Sequence, residues 1–193
     1  MARPRQFEPE AVREAIMLAF LKGGFDGTSL SDLEAATGLG RRSLYNTFGD
    51  KQAMFSQALT DFEGVAVSEN LAPLLRPEAG LSAIADMLNR LLAQSKTPEG
   101  RLGCLFCNTA RETVANEPPI RTQVAAYFAR VESAFKAVLD RAQATGELDP
   151  GRDTAGLAAF FLGVVVGLSV MGRAQLGEPT LSAVIDEALA RLA

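Results

Sequence analysis

Apolar residues recur along this 193-residue chain at intervals of three and four, and the strict alternation of a half-buried strand is almost absent. The pattern predicts an all-α protein. Pro9 to Lys22 carries Val12, Ala15, Ile16, Ala19 and Phe20 on one stripe, with Gly23-Gly24 to end it. Ser29, with Asp32 three residues on, is the signature of a second helix start. Leu30, Leu33 and Ala36 share a face of that helix, and Gly38 stops it by taking a left-handed conformation. A third helix is predicted from about Gly40 to Phe48. Asp50 caps a fourth, beginning at Lys51, with Met54, Phe55, Ala58, Leu59 and Phe62 on one stripe. It is predicted to run to about Leu75, where Pro77 stops it. Five more follow: Glu78 to Ser95, Gly103 to Asn116, about Pro119 to Thr145, an apolar helix capped by Asp153 and ending near Leu176-Gly177, and Thr180 to Leu192.

The third helix has two unlike faces. At 100° per residue Leu44, Thr47 and Phe48 group on one side, while Arg42, Tyr45 and Asn46 group on the other with Arg41 beside them. No acid lies between Leu39 and Gly49. Two arginines, a tyrosine and an asparagine are the side chains of a face that meets phosphates and base edges.

The run from Thr28 to Lys51 resembles the N-terminal helix-turn-helix of the TetR family of bacterial transcriptional regulators. The matching residues are Thr28-Ser29, the Ala-Thr-Gly turn at Ala36 to Gly38, Ser43-Leu44-Tyr45, Phe48-Gly49-Asp50-Lys51 and the aromatic Phe55. The resemblance implies a three-helix DNA-binding domain, residues 1–50, and a six-helix ligand-binding and dimerisation domain, residues 51–193. The partners it implies are double-stranded DNA carrying a palindromic operator, a small-molecule effector and a second copy of the chain. Arg41, Arg42, Ser43, Tyr45 and Asn46 are expected at the DNA, Thr28, Ser29 and Lys51 on phosphates, and Arg3 and Arg5 on the flanking backbone. One departure is Glu34, where many members carry a small residue. Its carboxylate is placed to pair with Arg41 or Arg42, or to face water.

A net charge of −4 does not suit a nucleic-acid binder, but its distribution does. Residues 1–60 hold seven basic and seven acidic side chains, against twelve and sixteen in the remainder. Five of those first seven cations lie in the N-terminal arm or around the third helix, and an acidic remainder limits non-specific attraction. The first apolar helix carries Arg13 and Glu14 and lacks a small-residue cleavage site, so no signal peptide is expected. Two cysteines without a secretion signal fit a reducing cytoplasm. The uncharged run from Thr154 to Gly172 is 19 residues, close to a membrane span. Without flanking basic clusters or aromatic belts, it is better read as a buried or interface helix, and no membrane partner is expected.

The chain has no histidine, no glycine-rich phosphate loop and no paired-carboxylate motif, so no catalytic residues and no cofactor are expected. An enzyme would have to work through thiols, carboxylates or the two tyrosines. Cys104 and Cys107 are too few for a zinc site, which takes about four ligands. They remain open as small buried hydrophobes or as a thiol pair that senses oxidants or electrophiles, and, as a rival class, as the centre of a thiol-dependent enzyme. A purely protein-binding helical adaptor is the third class, against which the Arg-Arg face argues. On the predicted sixth helix Cys104, Asn108 and Glu112 stack with Arg111 beside them, as polar groups orienting a ligand in an apolar cavity or as groups satisfying their own backbone. Phe62, Tyr127 and Phe160 complete the expected ligand site, and Phe106 and Phe128 are further candidate walls. The apolar helix carries small residues four apart: Ala155, Ala159, Gly163 and Gly167. Such a ladder lets another helix approach closely. The ladder reads either as close packing within one subunit or, as the TetR resemblance implies, as a two-fold dimer interface formed by Ala159, Gly163 and Gly167 with Val184 of the last helix.

Overall fold

The computed structural model describes residues 8–192, in which every regular element is helical. Nine α-helices are present among the described residues. The first, α1 (Pro9–Gly27), breaks at Gly24, where φ reaches 72°. Beyond it α2 (Leu30–Thr37) starts on a full capping box, and α3 (Arg41–Phe48) follows the left-handed Gly38. Leu33, Leu44, Phe20 and Phe55 are fully buried among these helices and the start of α4 (Lys51–Ala66). The Phe20 and Phe55 rings meet edge to face at 5.0 Å, and Phe25 joins them at 5.1 Å. The first three helices therefore sit on α4 through an aromatic contact rather than a tether.

The fourth helix departs from the sequence expectation. Its α-geometry stops at Ala66, and a π-helical turn, Val67–Leu71, carries the chain on. The Ala72 N–H donates to the Val67 carbonyl at 2.8 Å, a five-residue reach. The register shift turns Leu71 and Leu74 fully inward. Turns then lead to α5 (Leu81–Gln94), which starts later than Glu78. The Arg141 guanidinium holds that connection by donating to the carbonyls of Leu74 at 2.5 Å and Ala79 at 3.1 Å.

The sixth helix also differs. Only Leu105–Thr109 is α-helical (α6), with Cys104 extended at its N-cap and a 3-10 turn at Thr113–Asn116. The long α7 (Pro118–Thr145) and the apolar α8 (Thr154–Arg173) form the centre of the second domain, where Phe135 and Phe161 stack at 5.5 Å. The apolar α8 is long enough to cross a membrane. Its Ala158, Phe161, Val164 and Leu168 instead pack into the protein. The last helix, α9 (Glu178–Ala190), lies against α5 and α8.

Candidate nucleic-acid interface and effector cavity

The third helix is held at its start and along its buried face. Ser29 Oγ accepts the Asp32 N–H at 3.2 Å while the Asp32 carboxylate accepts the Ser29 N–H at 2.7 Å, which fixes the start of α2. The Ser29 hydroxyl, which donates to the same carboxylate at 2.7 Å, and then the Ser29 N–H hold the Asp32 carboxyl below its usual range. Gly40 caps α3 without a side chain, and Glu34 supplies the missing acceptor. Its Oε1 takes the Arg41 N–H at 2.6 Å, and its Oε2 lies 3.7 Å from the Arg41 guanidinium. A carboxylate at the positive end of a helix is favourable. Leu44 anchors the opposite face at zero exposure. Arg41, Arg42, Ser43, Tyr45 and Asn46 all face solvent. Arg42 makes no ion pair among the described residues, so its guanidinium is uncommitted. The Lys51 ammonium stands 4.3 Å from the centre of the Phe25 ring, tying the start of α4 to the end of α1.

Behind this head, α4, the π-helical turn, α5, α7, α8 and the Cys104 end of α6 line a partly open cavity of about 130 Å³. Phe62, Tyr127 and Phe128 form aromatic walls, Met87 and Leu91 come from α5, and Leu162, Val165 and Ser169 from α8. Cys104 is half-buried there and Cys107 buried. The Cys107 thiol donates to the Cys104 sulfur, and N–H groups of Phe106 and Cys107 add to it, so the Cys104 pKa falls to about 7 although burial opposes this. Cys107, as that donor, is pushed up, with burial adding to the rise. Burial first, then the negative charge at Cys104, keeps Tyr127 a neutral phenol. The Cys104 N–H donates to Ser169 Oγ at 2.9 Å, and its thiol lies 4.0 Å from the Tyr127 oxygen.

Residues 13–58 match the model of the bacterial regulatory proteins of the tetR family, and residues 80–188 that of the tetracyclin repressor-like C-terminal domain. The chain belongs to the TetR family. It is 33% identical over 161 residues to the HTH-type transcriptional regulator YezE of Bacillus subtilis, covering 80% of this chain and 79% of that protein. With the HTH-type transcriptional repressor ComR of Escherichia coli the identity is 27%, over 89% of this chain and 82% of that protein. A cysteine mutant of the TetR family regulator CifR, complexed with 26-bp double-strand operator DNA, is 27% identical and superposes with a TM-score of 0.90 over 99% of this chain and 100% of that one. Like these relatives, the chain is a DNA-binding transcriptional regulator.

Several expected residues of this TetR-family chain lie elsewhere than the sequence suggested. Thr28 is 2% exposed, and its hydroxyl donates to the Gly24 carbonyl at 2.7 Å, so it closes the break in α1 and its side chain is turned away from solvent. Arg3 and Arg5 lie outside the described residues. In the cavity the structure brings together Phe62, Cys104 and Tyr127 of the expected seven. Because α6 ends at Thr109, Cys104, Asn108 and Glu112 share no helix face. The Asn108 amide donates to the Leu102 carbonyl at 3.1 Å, and Arg111 is exposed. Glu112 reaches the DNA-binding domain, where its carboxylate accepts the Asp26 N–H at 3.0 Å and fills the space beside Gly24. A Cβ at Gly24 would lie 2.6 Å from that carboxylate. Phe160 is 42% exposed and lines an outer groove between α8 and α9, because two residues along a helix turn about 200° away from cavity-lining Leu162. Asn70 and Gln94 line the cavity unforeseen, since only the π-helical register turns Asn70 inward.

The outer side of α8 carries the small-residue ladder. Ala155, Ala159 and Gly163 are exposed, and a Cβ added at Gly163 or Gly167 would meet nothing within 4 Å. The close approach these residues permit is therefore not used within the described chain. Val184 joins Phe160 in the adjoining groove.

Proposed function

We propose that the chain is a homodimeric, cytoplasmic repressor that holds a palindromic operator through α3 and releases it when a small molecule fills the cavity. The observation that carries this reading is the exposed face of α3, where Arg42, Tyr45 and Asn46 stand uncommitted opposite a fully buried Leu44. The operator complex of CifR supports operator DNA as the target, and the similarity to the repressor ComR supports the direction of control. Two reading helices related by a two-fold axis fall on successive major-groove faces about 34 Å apart. The helix α4 starts beside α3 and, through its π-helical turn, ends against the cavity. A tilt of α4 changes the spacing of the two reading helices. A hundredfold loss of operator affinity needs an effector preference of about 2.7 kcal/mol for the non-binding state across the dimer.

The test separates base contacts from phosphate contacts. Arg42→Ala relaxes sequence preference by about 1–3 kcal/mol of discrimination, whereas Lys51→Ala weakens all sites alike and lowers the salt slope by about one. Quantitative gel-shift titrations on matched and altered sites read both. Unchanged operator binding in both variants contradicts the proposal.

A further inference from the structure

We infer that Glu34 is a specificity-determining residue, which offsets the charge of Arg41 and fixes its N–H groups for reading base edges. This rests on α3 being the reading helix. The carboxylate bridges the turn between α2 and α3 through both of its oxygens. Oε1 accepts the Arg41 N–H at 2.6 Å, and Oε2 lies 3.7 Å from Arg41 Nη2. The Glu34 carbonyl accepts the Gly38 N–H at 2.9 Å, so the same residue also fixes the turn from its main chain. The Glu34 side chain is 31% exposed and that of Arg41 56%. The acid stands behind the arginine, and the guanidinium is the outer member of the pair.

Arg41 and Arg42 are neighbours in sequence, yet only Arg41 is paired: Arg42 makes no ion pair among the described residues. Non-specific affinity comes from cations that displace counterions from phosphates, whatever the base sequence. An uncommitted arginine adds to that affinity at every site. A guanidinium beside a carboxylate adds little, because the two opposite charges nearly cancel at the distance of a phosphate. Its hydrogen-bond donors are not cancelled. A guanidinium carries five N–H groups, and those turned away from Glu34 suffice for the paired contact to O6 and N7 of guanine. Such a contact depends on exact placement, which the bond from the Arg41 N–H to Glu34 supplies at the start of α3. Arg41 thereby counts at a matched base and counts little elsewhere.

Glu34→Gln tests this on the full chain, since glutamine keeps an acceptor for the Arg41 N–H and removes the charge. Fluorescence anisotropy with a labelled duplex of scrambled sequence, repeated over a range of salt, reads non-specific binding. Glu34→Gln should tighten that binding and steepen its salt slope by about 0.9 for each bound subunit, an extra loss of about 3.5-fold between about 50 and 200 mM salt. Adding Arg41→Ala should abolish both changes. Selection from randomised duplexes, read by sequencing, measures base preference. The unmodified protein should enrich an inverted repeat, and Glu34→Gln the same repeat with weaker preference at the position that Arg41→Ala also loses. Unchanged non-specific binding, a change that persists without Arg41, or base preference left intact in Glu34→Gln or Arg41→Ala would overturn the inference. Base preference left intact in Arg42→Ala as well, or no enriched sequence for the unmodified protein, would overturn α3 as the reading helix.

Discussion

Single side chains divide the work of this molecule more sharply than their types suggest. The two cysteines are three residues apart, yet the Cys107 thiol serves as donor and Cys104 as acceptor, which leaves Cys104 the thiolate of the pair. Because the Cys104 pKa is lowered to about 7, its thiolate fraction rises as pH increases through neutrality. Iodoacetamide should therefore alkylate Cys104 of the folded protein with a rate that climbs through neutral pH, while Cys107 stays unmodified. Peptide mapping by mass spectrometry reads this, and labelling of Cys107 ahead of Cys104 contradicts it. Thr28 shows why residue type was a poor guide at one position of the reading head. A threonine at a helix start suits a phosphate contact, but the break at Gly24 supplies a carbonyl that captures its hydroxyl. Glu34 was legible as a partner for an arginine, and the turn at Gly38 decides for Arg41.

Helix starts were legible in the chain because their signals are local. Ser29, Asp50 and Asp153 each cap the helix that follows them, as their sequence neighbourhoods imply. The ends of α4 and α6 were not, because neither is set by local propensity. Nothing between Ala66 and Pro77 marks a π-helical turn, and apolar spacing over Gly103 to Asn116 fits one helix as well as two short ones. What ends α6 is distant: Glu112 and Thr113 leave the helical path to bond Asp26 of the α1 end, Thr113 Oγ at 3.0 Å and 3.1 Å from the two carboxylate oxygens. Three of the seven expected cavity residues were found for the same reason, since the others depended on α6 continuing and on which side of α8 faces inward. This clamp joins a cavity-lining element to the reading head by a route separate from α4. Glu112→Ala should accelerate hydrogen exchange of the Asp26 amide with little change at Leu44, measured by native-state exchange. An unchanged Asp26 rate would show that the clamp holds nothing.

The whole molecule presents an unused apolar side. Gly163 and Gly167 have open space before them on α8, and glycine in a helix interior costs about 1 kcal/mol relative to alanine. We propose that a second copy of the same face, related by two-fold symmetry, covers both glycines. Gly163→Leu should yield monomers by sedimentation velocity while circular dichroism keeps the helical signal. A Gly163→Leu protein that remains dimeric places the interface elsewhere. A dimer matters because one reading helix alone covers half an operator, and the two halves must be spaced by the protein. The most direct test of the account is nuclease protection of the DNA flanking this protein's own gene. A protected inverted repeat, its half-sites about one helical turn or a multiple apart, is the predicted result, and it should be lost with Arg42→Ala. Folded protein at micromolar concentration that protects no site there, or protects a single unpaired half-site, would contradict it.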